Sequence, residues 1–147
     1  MIVLDTTVLA YAVGTDHHLR APSRQLVELV REGRVSATTI VEVIQEFAHI
    51  RARRRGREDA ASLADDFAEL LSPLLVVEER DLRSGLTLFQ HHTHVGSFDA
   101  VLCAAARSIA ADALVSADRA FSDVPQLNHV VPDKAGVDWL LEQDFAD

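Results

Sequence analysis

The sequence predicts an α/β domain with a mainly parallel central sheet of about four to five strands flanked by helices. Two observations carry this prediction. Short apolar runs bounded by turn residues alternate with longer segments in which apolar residues recur at helical spacing, an order typical of strands joined by crossover helices. The 147 residues, 48% of them hydrophobic, contain no internal repeat, low-complexity tract or linker. We therefore expect one domain over residues 1–147.

The first third of the chain is predicted to form two strands, each followed by a helix. The run "IVL" at residues 2–4 is typical of a buried strand. Residues 8–13 continue as a short helix that Gly14 ends. The segment "APSRQLVELVREG" predicts a longer helix, with Pro22 in its first turn and a stop at Gly33. The segment "RVSATT" predicts the second strand.

The middle of the chain predicts two helices separated by a glycine. Apolar residues at positions 40, 43, 44, 47 and 48 follow helical spacing, and this helix runs into an arginine-rich segment that breaks at Gly56. The next helix has apolar residues at positions 63, 67, 70 and 71 and closes at Pro73. The run "LLVVEE" then predicts a third strand.

The last third begins with two further helices. The segments "DLRSGLTLFQHH" and "SFDAVLCAAARSIA" predict them, and the second is apolar nearly all round, as buried helices are. The run "ALVSAD" predicts a strand, and a last strand at Val130 and Val131 precedes a short helix around Trp139. Because the second helix is buried, we expect Asp99 in its first turn to enter a crowded interior site.

The charge and the cysteine content bound the function classes. The net charge of −9 by itself disfavours nucleic acid as a partner, because phosphate binding normally leaves a basic footprint. The single cysteine, Cys103, excludes a disulfide within the chain and suits buried packing. The apolar N-terminus has no positive segment before it, and no stretch reaches the length of a membrane span. We expect a cytoplasmic protein with no membrane association.

Four carboxylates occupy the same kind of position in the predicted fold. Asp5 and Asp118 each end a strand, while Glu42 and Asp99 each lie in the first turn of a helix. In open α/β sheets, ligands bind in the crevice at the carboxyl ends of the strands, so these acids could converge there.

Each acid also has a purely structural interpretation. Asp5 and Asp118 suit helix N-caps, residues 39–42 spell the capping box T-x-x-E, and the macrodipole favours Asp99 at a helix start. Four such caps at one end of a sheet would nevertheless repel one another unless cations neutralised them. Oxygen ligands without histidine or cysteine suit Mg²⁺ or Mn²⁺ rather than zinc.

The motifs "VLDTTVL", "TTIVEVIQEF", "SFDAVLCAAA" and "LVSADRAF" resemble, in order and spacing, those of PIN-domain ribonucleases. The length and layout are similar to VapC-type toxins of bacterial toxin–antitoxin pairs. The resemblance implies that the acidic metal site comprises Asp5, Glu42, Asp99 and Asp118. It also assigns supporting positions to Thr7 and Ser116. The family often has a further acid at the position of Ala120, and Asp123 is the candidate substitute.

The resemblance implies metal-assisted hydrolysis of an RNA phosphodiester, leaving a 5′-phosphate and a 3′-hydroxyl. The hydroxyls of Thr7 or Ser116 would orient a phosphate or the water. A cognate antitoxin would mask the toxin by presenting Arg or Lys to Asp5, Asp99 and Asp118, and an apolar face would favour a homodimer.

Other polar clusters have two interpretations each. Residues Arg51, Arg53, Arg54 and Arg55 are candidates to bind the RNA backbone, or they form a solvated helix end that complements the macrodipole. The histidines at positions 17, 18, 91, 92 and 94 are interpreted as polar connectors. Glu46 either supports the acidic site or is exposed.

Three other functions were weighed against the nuclease. A haloacid-dehalogenase-like phosphatase needs a second Asp where Thr7 stands, and a receiver domain needs an acid pair that is missing, although Lys134 follows the last strand. A non-catalytic PIN-like binding module stays open. The nuclease toxin is the function that we predict.

Overall fold

Four short strands form a wholly parallel sheet in the computed structural model, which describes residues 1–143. The predicted domain end at residue 147 lies outside the described residues. The strands are β1 (Ile2–Leu4), β2 (Ala37–Thr38), β3 (Ala113–Val115) and β4 (His129–Val130). Their order across the sheet is β2-β1-β3-β4, so β1 and β3 lie side by side at its centre. The predicted α/β class and parallel sheet are confirmed.

Seven helices and one 3-10 helix connect and flank these strands within the described part of the chain. The helices are α1 (Thr6–Ala12), α2 (Arg20–Arg31), α3 (Val41–Arg55), α4 (Arg57–Leu70), α5 (Glu79–His91), α6 (Ser97–Ser108) and α7 (Lys134–Glu142), and the 3-10 helix is Arg119–Asp123. Each predicted helix is present. No helix within residues 1–143 combines the length and apolarity that crossing a bilayer requires.

The α3–α4 hairpin turns at Gly56, as the sequence predicts. Gly56 has a φ of 90°, a conformation that residues with a Cβ rarely adopt. The two helices then pack along each other, with the rings of Phe47 and Phe67 in an edge-to-face contact at 5.1 Å between centroids. This hairpin fixes the position of α3 beside the sheet.

The buried helix α6 packs closely against α5. A Cβ at Gly85 of α5 would lie 2.7 Å from the Cα of Val101, so only glycine permits this approach of the two helices. Small residues continue the close packing on the inner side of α6, where Cys103 is fully buried. Burial raises the pKa of the Cys103 thiol to about 12, which fits the predicted packing role of this residue.

The predicted strand "LLVVEE" is wrong. Only Leu75 pairs there, through one isolated parallel bridge to Ile40. The Leu75 N–H donates to the Thr39 carbonyl at 2.9 Å, but the next residue, Val76, has 78% of its side chain exposed. The apolar run is therefore a surface connector, since no neighbouring strand continues the ladder beyond that single bridge.

The register of the central strands positions the candidate site. Leu4 of β1 pairs with Val115 of β3, so the next residues, Asp5 and Ser116, leave the sheet side by side. Both are at least 96% buried. The carboxyl ends of β1 and β3 thus form one polar edge above an apolar core.

Candidate active site

Asp5 lies where the chain leaves β1 and enters α1. Its side chain caps α1 by accepting the Thr7 backbone N–H at 3.4 Å, which is the structural interpretation that the sequence offers. Asp5 is nevertheless only 4% exposed, and a buried carboxylate requires further partners.

Two hydroxyl groups supply those partners. Thr7 Oγ1 donates to Asp5 Oδ2 at 2.8 Å, and Ser116 Oγ donates to the same oxygen at 2.7 Å. Each hydroxyl also accepts a backbone N–H after β3: that of Ala117 reaches Thr7 at 2.9 Å, and that of Asp118 reaches Ser116 at 3.0 Å. Since each hydroxyl has one proton and gives it to Asp5, both residues orient this carboxylate.

Asp118 and Asp99 line the same cavity as Asp5. Asp118 is exposed and caps the 3-10 helix by accepting the Ala120 N–H at 2.9 Å. Asp99 is half-buried in the first turn of α6. The structure therefore brings together three of the four carboxylates that the sequence singled out.

Glu46 and the exposed Asp16 also line the cavity, and the role of Glu42 in the site stays a prediction. Glu42 is exposed in the first turn of α3 and does not line the cavity, whereas Glu46 is half-buried and does. The Thr6 hydroxyl donates to Glu46 Oε2. The physical reason is that α1 packs against α3 at its second turn, which holds Glu46 beside the end of β1.

The predicted capping box at residues 39–42 is corrected. The N-cap of α3 is Ile40, without a side-chain hydrogen bond. Thr39 is instead fully buried and donates its hydroxyl to the Leu4 carbonyl at 2.6 Å. This bond ties the start of α3 to the end of β1, so Thr39 supports the site edge rather than the helix terminus.

Asp123 does not reach the cavity. It is exposed at the last residue of the 3-10 helix, and the cavity lining contains Asp118 but not Asp123. The helical turn between these residues separates the two carboxylates. The position of the missing family acid, Ala120, is thus not compensated by Asp123.

The four arginines at the end of α3 differ in exposure: one side chain is largely buried and three are exposed. Arg51 is 16% exposed, and its guanidinium donates to Asp59 Oδ1 at 3.2 Å and to the Val13 carbonyl at 3.0 Å. The Arg51 hydrogen bond lowers the pKa of the Asp59 carboxyl. Arg51 therefore links α1, α3 and α4, whereas Arg53, Arg54 and Arg55 are exposed.

The acidic cavity continues into a second, basic pocket. The acidic cavity has a volume of about 400 Å³, and the pocket next to it has about 470 Å³. Arg54 lines both, Arg51 and Arg55 line only the second, and Arg53 lines neither. An extended ligand that carries several negative charges would therefore reach from the acidic cavity to the arginines at the end of α3.

The pKa of Asp99 shows that the carboxylates at the cavity repel one another. Its pKa is raised to about 6, first by burial and then by the charges of Asp5, Asp118 and Glu46. Four carboxylates are therefore electrostatically coupled at one cavity. Such a group is most stable when a cation neutralises it.

The donor set fits an oxygen-preferring divalent cation in its chemistry. Carboxylate oxygens from four separate segments of the chain, with hydroxyls behind them, are the ligands that Mg²⁺ and Mn²⁺ prefer. Among residues 1–143, however, no three His, Cys, Asp or Glu side chains are already arranged around a common metal position.

Comparison with known proteins agrees with this site. The sequence profile of the PIN domain matches residues 2–127, which include Asp5, Glu46, Asp99 and Asp118. The chain belongs to the PIN domain family. The resemblance on which the sequence analysis relied is therefore confirmed.

Individual PIN domain relatives cover most of the chain. "Ribonuclease VapC7" of Mycobacterium tuberculosis (strain ATCC 25618 / H37Rv) is 50% identical over 145 residues, covering 96% of this chain and 98% of that protein. "Ribonuclease VapC23" of the same strain is 34% identical over 101 residues, which is 67% of this chain and 78% of that protein. Both relatives are named as ribonucleases.

A solved structure supports the PIN fold. The crystal structure of VapBC2 from Rickettsia felis bound to a DNA fragment from their promoter superposes with a TM-score of 0.68. It covers 89% of this chain and 98% of that chain at 18% identity. At this identity the likeness concerns the fold alone.

Helical spacing places Glu42 and Glu46 on one stripe of α3, so the sequence does not show which of the two lines the cavity. The stripe does not say which turn faces β1. Only the packing of α1 against α3 makes that choice. The sequence holds one related feature, since Thr6 directly follows Asp5. A carboxylate that accepts a hydrogen bond from Thr6 therefore lies near the end of β1.

Proposed function

We propose that this PIN domain protein is a metal-dependent endoribonuclease that acts as the toxin of a bacterial type II toxin–antitoxin pair. The observation that carries the proposal is the meeting of Asp5, Glu46, Asp99 and Asp118 at one cavity. The 50% identity to a protein named Ribonuclease VapC7, over nearly the whole chain, supports the same activity. We expect it to act in the cytoplasm.

The metal is proposed as Mg²⁺ or Mn²⁺, held by Asp5, Asp99 and Asp118 with Glu46 beside them. A bound divalent cation supplies the charge that activates water and stabilises the leaving oxygen of a phosphodiester. The chain's own residues prepare this chemistry. Thr7 and Ser116 fix the direction of Asp5, and Asp99 takes part as a carboxylate, which requires loss of its proton.

The contribution of the hydroxyls differs from the one that the sequence suggested. Thr7 and Ser116 were expected to orient a phosphate or water. Their protons are already donated to Asp5 Oδ2, so their proposed role is to position that carboxylate. Loss of either hydroxyl would remove one of the three donors that fix the orientation of Asp5.

We propose that the RNA backbone follows the exposed arginines at the end of α3. Arg54 has the best placement because it lines both the acidic cavity and the basic pocket. Arg55 lines the basic pocket, and Arg53 adds exposed charge nearby. These cations offset the net charge of −9 where the substrate would approach.

A cognate antitoxin is the proposed protein partner. The resemblance to VapC-type toxins supports a partner of this kind, and a chain of the same fold occurs in a VapBC complex. A guanidinium from the antitoxin could bridge two cavity carboxylates by charge-assisted hydrogen bonds. Arg or Lys presented to Asp5, Asp99 and Asp118 would thus occupy the place of a cation.

We also propose a homodimer, with α5 at its interface. Leu82, Leu86 and Phe89 are each between 45% and 48% exposed, and their spacing of four and three residues places them on one stripe of α5. Large apolar side chains grouped on one exposed helix face are typical of an interface.

The proposed activity is tested by titrating Mg²⁺ or Mn²⁺ into chelator-treated protein and measuring cleavage of a mixed-sequence RNA by gel electrophoresis. We expect cleavage that depends on the cation, stops with EDTA and leaves 5′-phosphates. Asp5→Asn should remain folded and inactive. Cleavage that persists in EDTA, or an active Asp5→Asn, would refute the proposed mechanism.

A further inference from the structure

Three rings form a continuous stack at the end of α1 and in the connector that follows. The ring centroids of Tyr11 and His17 are 4.4 Å apart, with an angle of 19° between the ring planes. Those of His17 and His18 are also 4.4 Å apart, with an angle of 35°. The sequence predicts only a polar connector for the two histidines, because the contact with Tyr11 depends on how the connector folds back.

The stack lies at the rim of the acidic cavity. Tyr11 and His17 line that cavity together with the carboxylates. His17 also lines a neighbouring groove of about 480 Å³ that contains Arg20 and Arg24. Tyr11 is half-buried, whereas His17 and His18 are exposed. The stack is thus anchored at one end and open to solvent at the other.

The direction of the His17 ring is set by the backbone. The Leu19 N–H donates to His17 Nδ1 at 3.2 Å. Because Nδ1 accepts, a neutral His17 carries its proton on Nε2. The stack and this hydrogen bond together hold the ring in place before any ligand arrives.

We propose that Tyr11, His17 and His18 form a stacking platform for an unpaired base of the RNA strand, next to the phosphodiester at the acidic cavity. This inference rests on the proposed ribonuclease function. Unpaired RNA bases stack on aromatic and histidine rings. Because bases within a duplex are already stacked on one another, the platform can take up only an unpaired base.

The charge of the protein favours stacking as a source of affinity. Phosphate contacts alone must overcome a net charge of −9 and the five carboxylates that line the cavity. Stacking on rings requires no such compensation, and its contribution is less sensitive to salt than that of phosphate contacts. Tyr11 and His17 line the same cavity as Asp5 and Asp99. An RNA strand with a phosphate in that cavity therefore brings a neighbouring base to the rings.

The test measures binding of a fluorescein-labelled single-stranded RNA of about ten nucleotides by fluorescence anisotropy. An Asp99→Asn background in EDTA prevents cleavage and removes one repelling charge. The RNA is examined intact and with one abasic nucleotide at each position in turn. Because His17 is the middle ring, His17→Ala breaks the stack that supports the solvent-facing ring, and we expect it to weaken binding of the intact RNA about tenfold. One abasic position should cause the same loss, and His17→Ala should add nothing there.

Two matched variants separate stacking from a structural role of the loop. His17→Phe keeps a planar ring and should restore at least half of the lost binding free energy. His94→Ala changes an exposed histidine of another connector, outside the cavity, and should bind like the background protein. Thermal denaturation of each variant should show that the fold is kept.

Cleavage of the same RNA by the unmodified protein in Mg²⁺ is measured in parallel. If the protein cleaves RNA but His17→Ala binds the intact and abasic series like its background, the platform is overturned and the ribonuclease stands. If the protein neither binds nor cleaves RNA, the proposed function and the platform are both overturned. A His17→Phe variant as weak as His17→Ala would also overturn the platform.

Discussion

The Thr6 hydroxyl donates a hydrogen bond to Glu46 Oε2, joining the first turn of α1 to the second turn of α3 across 40 positions of sequence. This contact places Glu46, rather than Glu42, beside the buried Asp5. Two glutamates one helical turn apart therefore have different environments and should have different functional weight.

We expect Glu46→Gln to reduce RNA cleavage by more than about 100-fold, because loss even of a partner behind a metal ligand costs about 10- to 100-fold. Glu42→Gln is the matched control, since Glu42 is exposed on the same helix. It should retain activity within about threefold. Initial cleavage rates at saturating Mg²⁺ measure both. If Glu46→Gln kept the activity of the unmodified protein, Glu46 would not belong to the site.

Asp99 should make the metal-free protein less stable as the pH rises. Its folded-state pKa of about 6 lies above the ordinary value of 3.8, so the folded state holds more protons between these values. The free energy of unfolding contributed by this group therefore falls as pH rises from about 4 to 6 and then stays constant. Asp99→Asn should raise Tm in EDTA above pH 6 and have little effect near pH 4.

Differences in Tm between variant and unmodified protein at each pH isolate this effect, because other carboxyls titrate in both. Asp65→Asn, an exposed residue of α4, is the control and should show no pH-dependent difference. The same protonation should weaken Mg²⁺ binding below pH 6, which isothermal calorimetry measures. A Tm difference that was constant from pH 4 to 8 would exclude a raised Asp99 pKa.

Replacing Arg54 should affect RNA binding, whereas replacing Arg51 should affect the stability of the fold. If Arg54 contacts a phosphate, Arg54→Ala should reduce the slope of log affinity against log salt by about 0.7. Arg51→Ala should instead lower Tm, because it removes the Arg51 contacts to Asp59 and the Val13 carbonyl. Anisotropy titrations with single-stranded RNA at several salt concentrations and thermal melts measure the two effects.

Arg31→Ala is the control for the arginines. Arg31 is exposed on α2 and pairs with Glu28 at 2.6 Å, so its loss should change neither the salt slope nor Tm appreciably. If Arg54→Ala and Arg31→Ala gave the same slope as the unmodified protein, the end of α3 would be only a solvated helix terminus.

Ser116 should contribute to both stability and metal affinity. Ser116→Ala leaves the buried Asp5 without one donor and the Asp118 N–H without its acceptor. We expect a loss of about 1–3 kcal/mol in the free energy of unfolding. Mn²⁺ affinity should fall about 10- to 100-fold, because Asp5 loses part of its fixed orientation.

Urea denaturation and Mn²⁺ titration measure the two effects of Ser116→Ala. Ser62→Ala, on the exposed side of α4, is the control and should change neither. A Ser116→Ala protein with unchanged Mn²⁺ affinity would limit this hydroxyl to a folding role.

The α5 stripe should determine the oligomeric state. Leu86→Glu introduces a charge at the centre of the stripe formed with Leu82 and Phe89, and a dimer interface does not tolerate an unpaired buried charge. We expect this variant to be monomeric and as stable as the unmodified protein, which light scattering after size exclusion measures. Thr87→Glu, a neighbouring exposed residue, is the control. A dimer that persisted in Leu86→Glu would place the interface elsewhere.

The sequence by itself determined the fold class, each helix and the carboxylates Asp5, Asp99 and Asp118. These features depend on local periodicity and on the order of strands and helices, which a linear pattern records directly. The ordered motifs also indicated the family before any contact was known. The run "LLVVEE" is the one element that was predicted wrongly, because an apolar run does not reveal whether a partner strand is present.

Tertiary structure alone decided which glutamate of α3 meets the cavity, that the Thr7 and Ser116 protons belong to Asp5, and that Arg51 is committed to Asp59. It also brought His17 against Tyr11. Each of these depends on the angle and depth at which one element packs against another. Because helical spacing leaves residues one turn apart equivalent until a neighbouring helix touches one of them, the sequence could name the candidates but not choose between them.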